Sequence, residues 1–355
     1  MSIATGSIRA RLERSPCVSS APCRIDLGGT IDMKTIYLPM ACLSPCTFNI
    51  AIDLPTRVTL HPYREGMVKV SSRGFRDAEF PAHEAPFAHP LGLMFAVASF
   101  FNADGIHIKI DSSSPPRSAL GGSSAAAVAL VAAMAKAGGV SGRFSKDDMA
   151  ITAHAIEEGV ALVPCGLQDQ LAAAHGGVNA WYWMQPGGSG ICFRRQQVLT
   201  EEQMDAFEPC FLVAYCGIPH ESKNINGKWM RHFISASDRN LWRYIITCTH
   251  NFIDALGKLD VERAAYWMNE ELSARVKMTP DVLDEMGNRL VTLAVGTGCG
   301  ARFTGAGGGG CLWAIGTPEN ILALKEKWTN ALKLRKDACL LDAGIDRQGV
   351  SVDIS

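Results

Sequence analysis

The chain has 355 residues, 47% of them hydrophobic, and a formal net charge of −1. A chain of this length buries a large core and predicts about two domains, while its charge balance leaves no electrostatic footprint for nucleic acid or for an acidic membrane surface. The expected partner is a small molecule.

Residues 1 to 19 carry no pattern and are expected to begin irregularly. Their arginines lack the apolar core of a secretion signal, and the longest apolar run in the chain, Ala125 to Ala135, is too short to cross a bilayer. Twelve cysteines occur without a CxxC pair, and those in apolar runs, such as Cys248 and Cys311, read as small hydrophobes in a reducing compartment. A soluble, cytoplasmic protein is expected, as a monomer or a homodimer. His83-Glu84 is not followed by a second histidine at metalloprotease spacing, so no zinc site is indicated.

Ala21 to Asp32, APCRIDLGGTID, sets Arg24, Asp26 and Asp32 around a Gly28-Gly29 turn, a charged cluster that suits either a ligand loop or a surface ion pair. Arg57–His61 and Met67–Ser71 alternate apolar and polar residues across Arg64-Glu65-Gly66 and predict a hairpin. A helix is expected over Phe87–Phe101. Ile106, Ile108 and Ile110 alternate with polar residues and predict a strand with one buried face, delivering the chain into PPRSALGGSSAAA.

That stretch predicts an anion-binding loop capping a buried helix. Gly121-Gly122 permits a tight turn and a close backbone approach, with Ser123 or Ser124 as the expected N-cap. The helix beyond is apolar on nearly every face, hence buried, and ends at Gly138-Gly139. A helix start offers unpaired N–H groups and a partial positive charge, which favour phosphate, although the lysine of a P-loop is missing.

Ser145 to Leu162 predicts a helix with a capping box, Ser145 and Asp148, ended by Pro164. Leu167 to Ala174 restarts a helix with Asp169 in its first turn, where the dipole favours a carboxylate. Strands are expected at Val178–Met184 and Ile191–Val198 around Gly187-Gly188-Ser189-Gly190, and at Phe211–Cys216, with a domain boundary between Trp183 and Pro209. Gly217–Lys228 reads as a polar loop. Amphipathic helices are expected over Trp229–Leu272 and Thr279–Thr292. Thr297–Ile315 brings a strand into a second glycine-rich loop and out along another strand. Its five glycines between Gly305 and Gly310 each disfavour folding by roughly 0.5–1 kcal/mol relative to alanine, which predicts a close approach to a ligand. A helix over Asn320–Leu334 and a strand over Gly349–Ile354 close the chain.

Taken together, APCRIDLGG, PPRSALGGSSAAA and FTGAGGGGC resemble, in order and spacing, the three motifs of the GHMP kinases. The resemblance covers almost the whole chain. PCGLQDQLAAAHGGVNAW and MNEELSARVKMTPDVL further resemble the sugar-kinase branch, which includes galactokinase and the bacterial heptose-phosphate and fucose kinases. It implies an α+β fold of two domains: residues 1–195, ribosomal-protein-S5-like and carrying the first two motifs, and residues 196–355, ferredoxin-like and carrying the third. It also implies ATP and Mg²⁺ as cofactors, with transfer of a phosphoryl group to a hydroxyl, the anomeric one, of a sugar or sugar phosphate.

By the same resemblance Asp169 is the catalytic aspartate, assisted by Arg24. Pro116, Ser118, Leu120, Gly121, Gly122, Ser123, Ser124, Ala125, Gly305, Ala306, Gly307 and Gly308 fall at nucleotide-binding positions. Asp26, Gly28, Gly29, Thr30, Asp32 and Gln168 fall at substrate-binding positions, and Ser124 and Glu157 at the metal, with Glu158 an alternative. Arg117 and Ala119 stand where the second motif often has glycine, and Ile31 separates Thr30 from Asp32, where sugar kinases usually have the aspartate next. An ATP-dependent decarboxylase of the mevalonate-diphosphate type and a non-catalytic sugar sensor are the competing readings.

Overall fold

In chain order, α1 (Ile8–Leu12) leads into β1 (Cys17–Leu27), α2 (Lys34–Tyr37), β2 (Cys46–Pro62), β3 (Met67–Ser72), β4 (Ala78–Pro81), α3 (Gly92–Phe100), β5 (Ile106–Ser112), α4 (Gly122–Ala137), α5 (Lys146–Ala161), α6 (Gln168–His175), β6 (Val178–Trp183) and β7 (Phe193–Gln197). The second half runs α7 (Glu201–Phe207), β8 (Phe211–Tyr215), α8 (Ser222–Ile234), α9 (Arg239–Leu256), α10 (Val261–Met278), α11 (Glu285–Val295), β9 (Gly300–Phe303), β10 (Cys311–Ile315), α12 (Pro318–Leu332), β11 (Cys339–Leu341) and β12 (Ser351–Ile354). This is a computed structural model, and it describes residues 8–161, 165–185, 192–219 and 222–354. Pro164, the expected loop at 187–190 and part of the expected loop at 217–228 lie outside the described residues.

The strands form two sheets, and the architecture is α+β in two domains. In the larger sheet the order is β12-β1-β2-β5-β3-β4, with β6 also on β2 and β7 on β6. β2 is long enough to serve two partners, β6 along Cys46–Ile50 and β5 along Thr56–Pro62, on either side of the register shift opposite Pro22/Cys23. α4 lies against β1 and β2, and every residue from Ser124 to Ala135 is buried, as expected of a helix apolar on all faces. The Ser19 hydroxyl on β1 donates to the Ala129 carbonyl at 2.6 Å. The smaller sheet, β11-β8-β10-β9, is antiparallel throughout; with its helices it has the ferredoxin-like β-α-β-β-α-β order.

Several expectations are corrected. The expected irregular start at residues 1–7 lies outside the described residues, and α1 and β1 occupy part of the patternless stretch that follows it. β2 and β3 form no hairpin, because β5 inserts between them, antiparallel to β2 and parallel to β3. The stretch 229–272 is divided among α8, α9 and α10, and α8 already begins at Ser222, within the expected polar loop. The division at 195/196 would cut β7, and the closing strand β12 returns to pair with β1 in the first sheet. Among the described residues no helix is long and apolar enough to cross a membrane.

Candidate active site

A cavity of about 380 Å³ opens beside the start of α4 and is lined mainly by the first domain, with Asn226, Gly305 and Ala306 from the second. β5 delivers the chain to its rim, as expected. The loop after it is held by backbone bonds on both sides. Arg24 N–H on β1 donates to the Leu120 carbonyl at 2.9 Å, and Cys311 N–H on β10 to the Ser118 carbonyl at 2.9 Å. Arg117 (φ 55°) and Ala119 (φ 62°) adopt the left-handed conformation, which disfavours an L-residue by about 1–2 kcal/mol. Glycine at these two positions would relieve that strain.

The helix start differs from expectation in its cap. The N-cap is Gly121, at φ 74°, with no side-chain bond, so neither Ser123 nor Ser124 caps α4. Both sit inside the first turn and their hydroxyls donate instead to Glu157 on α5, Ser124 at 2.9 Å and Ser123 at 3.5 Å. The expected capping box forms at Ser145–Asp148 and sets the start of α5. Glu158, one residue on and rotated round the helix, pairs with Lys34 at 3.2 Å, away from the serines.

α6 brings three groups to the cavity. Asp169 takes a two-pronged bond from Arg24, Nε to Oδ1 at 2.7 Å and Nη2 to Oδ2 at 2.8 Å, while Arg24 Nη1 donates to the Ala119 carbonyl at 2.5 Å. Burial works against the Arg24 charge, but the Asp169 and Asp26 carboxylates outweigh it and hold the guanidinium above its ordinary pKa. Gln170 donates to Glu157 at 2.6 Å and to Ser124 at 3.3 Å, a residue the sequence reading passed over although it sits beside Asp169. The Gln168 backbone N–H donates to Asp32 Oδ2 at 3.1 Å. Burial pushes the Asp32 carboxyl up to about 7, helped by the charges of Asp169 and Asp26 and opposed by the Gln168 bond. Gly166, just before α6, packs against the same carboxylate: a Cβ there would lie 1.6 Å from Asp32 Oδ2, so only glycine leaves room for it.

The candidate residues divide by position. Arg24, Thr30, Asp32, Gln168 and Asp169 line the cavity, as do Pro116, Ser118, Leu120, Gly121, Gly122, Ser123, Ser124, Glu157, Gly305 and Ala306. Ala125 is buried within α4 and is not part of the lining. Gly28, Gly29 and Asp26 are also off the cavity. Asp26 is fully buried and accepts from Gly305 N–H at 2.6 Å and from Arg302 Nη1 at 3.5 Å, holding the two domains together. Gly307 and Gly308 do not line the cavity either; a Cβ on them would meet Val282 and Ile225 at 2.4 and 2.1 Å. The tight approach expected of the third motif is therefore largely to protein, Gly310 against the Ser118 carbonyl being the closest link to the second motif. Further along the wall, Thr56, Ser112 and Ser114 form a run of hydroxyls at 3.1 and 3.0 Å. Asn226 adds a buried side-chain oxygen without a protein partner.

The Ser124 and Glu157 oxygens fit a magnesium ion. Among the described residues no three His, Cys, Asp or Glu side chains cluster as a cage, and Mg²⁺ bound to a nucleotide needs only one or two protein oxygens, since water and phosphates supply the rest. Burial and the nearby Asp169 charge raise the Glu157 carboxyl above its ordinary pKa against the bonds from Ser124 and Gln170. A carboxylate in that position gains from a cation beside it.

Residues 91–177 match the model of the GHMP kinases N terminal domain. A mevalonate kinase of Thermococcus onnurineus (strain NA1) is 24% identical over 335 residues, covering 85% of this chain and 89% of that protein. Among solved structures, a D-glycero-D-manno-heptose 1-phosphate kinase from Bacteriodes thetaiotaomicron aligns with a TM-score of 0.69 at 17% identity, over 95% of this chain and 98% of that one. Lactococcus lactis galactokinase complexed with galactose gives a TM-score of 0.69 at 14% identity, over 95% of each chain. Residues 91–177 are thus similar to the GHMP kinase N-terminal domain, and the chain has the fold of these kinases, with sugar kinases among its structural neighbours.

Proposed function

We propose that the protein is an ATP-dependent kinase that phosphorylates a hydroxyl, the anomeric one, of a sugar or sugar phosphate. The observation that carries this reading is the pairing of Arg24 and Asp169 at the cavity, with Asp32 beside them as a second carboxylate lining the same space. Carboxylates accept hydrogen bonds from substrate hydroxyls, which suits a polyol better than an acid. The likeness to galactokinase and to the heptose kinase supports the substrate class.

The chain's residues have distinct tasks in this reading. Backbone N–H groups at the start of α4 hold the phosphates of ATP. Ser124 and Glu157 would hold Mg²⁺, which would neutralise phosphate charge. Asp169, fixed by Arg24, aligns the acceptor hydroxyl and takes its proton late, as the oxygen bonds to the γ-phosphorus and the bond to the β–γ bridging oxygen breaks to release ADP. Arg24 contributes positive charge beside the nucleophile.

The test is ADP release across hexoses, heptose 7-phosphate, 6-deoxy sugars, homoserine and mevalonate, followed by phosphorus NMR of the product. A sugar phosphorylated at its anomeric oxygen is expected. Turnover of mevalonate alone, the substrate in the name of the Thermococcus relative, would overturn the sugar assignment, release of CO₂ would indicate a decarboxylase, and binding without turnover a sensor. For the residue roles, Asp169→Asn should lower kcat by roughly 10²–10⁴ with nucleotide affinity little changed. Glu157→Gln should weaken the metal and recover in part at high Mg²⁺. Equal rescue of both variants by Mg²⁺ would contradict the division of labour.

A further inference from the structure

Arg117 holds a left-handed backbone, φ 55°, at a position where nothing inside the protein calls for an arginine. Its side chain is exposed and has no hydrogen-bond or ion-pair partner among the described residues. It does line the cavity. Backbone strain of this kind clusters at active sites and ligand clamps.

A second cation stands on the same rim. Arg73, on the turn after β3, lines the cavity, is exposed and likewise has no partner among the described residues. Its neighbour Gly74 abuts Pro116, a Cβ there falling 3.3 Å from Pro116 Cγ, so the turn and the loop are in contact. Two separate segments therefore bring unpaired guanidinium groups to one rim, while the carboxylates Asp32, Glu157 and Asp169 line the same cavity. The start of α4 lies along that loop. The helix start and the two guanidinium groups together suit a chain of phosphates longer than one, running from the helix start out to the rim, while the carboxylates are left for the metal and the acceptor hydroxyl. Guanidinium groups bind phosphate oxygens through paired hydrogen bonds.

We propose that Arg73 and Arg117 form a cationic rim that grips the phosphate chain of the nucleoside triphosphate from the solvent side, making them specificity-determining residues for triphosphate over monophosphate. This rests on the kinase reading above. The experiment is calorimetric titration of the wild type, Arg117→Gly, Arg73→Ala and the double variant with a non-hydrolysable ATP analogue, ADP, AMP and adenosine, at low and raised salt. Thermal unfolding of each variant is measured alongside.

Each single variant is expected to bind the ATP analogue roughly three- to tenfold more weakly, to lose less for AMP and nothing for adenosine, and to show a shallower salt dependence. In steady-state kinetics the change falls on the KM for ATP. Arg117→Gly relieves the left-handed strain, so its melting temperature should not fall, and weaker binding cannot then be ascribed to misfolding. If the wild type binds ATP and the double variant binds it equally well, the rim is overturned while the kinase reading stands. An equal loss for adenosine also overturns it, since the arginines would then contact the base. A wild type that binds no nucleotide sinks both.

Discussion

Asp32 is a cavity side chain whose ionisation the fold controls. Its pKa rises from 3.8 to about 7 chiefly through burial. The folded protein therefore binds a proton in a range where the unfolded chain has released it, so Asp32 makes stability fall as pH rises between about 4 and about 7. Below that window both states are protonated and above it both are ionised. Asp32→Asn keeps an acceptor for the Gln168 N–H and removes the titration. Denaturant unfolding of the ligand-free protein at pH 5 and pH 8 should show the wild type losing more stability than Asp32→Asn over that interval, by an amount on the order of a few kcal/mol. Equal losses would mean that Asp32 is solvated. For function, the ionised form accepts from a substrate hydroxyl and the protonated form donates, so the substrate KM of the wild type should change across neutrality and that of Asp32→Asn should not.

At the scale of elements, the loop from Pro115 to Gly122 and the start of α4 act as one unit, and its backbone angles are what hold the site open. Gly121 takes φ 74°, and a Cβ there would lie 3.3 Å from Asp169 Oδ2. Gly121→Ala should therefore lower stability by about 1–2 kcal/mol and also lower kcat through pressure on Asp169. A melting curve and a kcat measurement check both, and an unchanged kcat would separate the loop from the catalytic group. This unit, β5, α5 with its Ser145–Asp148 box, and α6 were legible in the sequence because each is specified by neighbours a few residues apart. The insertion of β5 between β2 and β3 was not, because β5 arrives from well beyond β4 and α3 in the sequence and local alternation carries no information about partners. The breaks between α8, α9 and α10 had local marks that a run of amphipathic residues obscured, among them Asp260, whose side chain caps α10 by accepting from Arg263 N–H at 3.0 Å. Asp26 was placed at the substrate by the family resemblance, its glycine turn alone leaving a surface ion pair equally open. Its partner Arg302 is 276 residues away, and no local pattern links them.

The whole molecule is joined across its domains by a buried chain of charges. Arg302 Nε donates to Glu271 Oε2 and Arg275 Nε to Glu271 Oε1, both at 2.8 Å, and Arg302 Nη1 reaches Asp26 on β1. Arg275 continues into the first domain, donating to the Thr30 hydroxyl at 2.9 Å and to the Gly29 carbonyl at 2.7 Å. Its guanidinium also lies over the rings of Trp229 and Trp242 at 5.0 and 5.2 Å. Two guanidinium groups balance two carboxylates, and all four side chains are at most 1% exposed. Burial opposes ionisation of Glu271, but the two arginines outweigh it and hold the carboxyl below its ordinary pKa, so this contribution to stability is present at neutral pH and lost as pH falls. Replacing Glu271 by alanine would leave two buried cations with only Asp26 between them, which should destabilise by about 3–5 kcal/mol. Because the network spans the domain boundary, the loss should also uncouple the domains. Trp181 and Trp183 report on the first domain, while Trp229, Trp242, Trp267, Trp313 and Trp328 lie in the second. Single-tryptophan versions of each domain, unfolded in denaturant, should coincide with Glu271 present and separate in Glu271→Ala. Coincident curves in both, with a loss under about 1 kcal/mol, the worth of an exposed pair, would show that apolar packing alone couples the two halves.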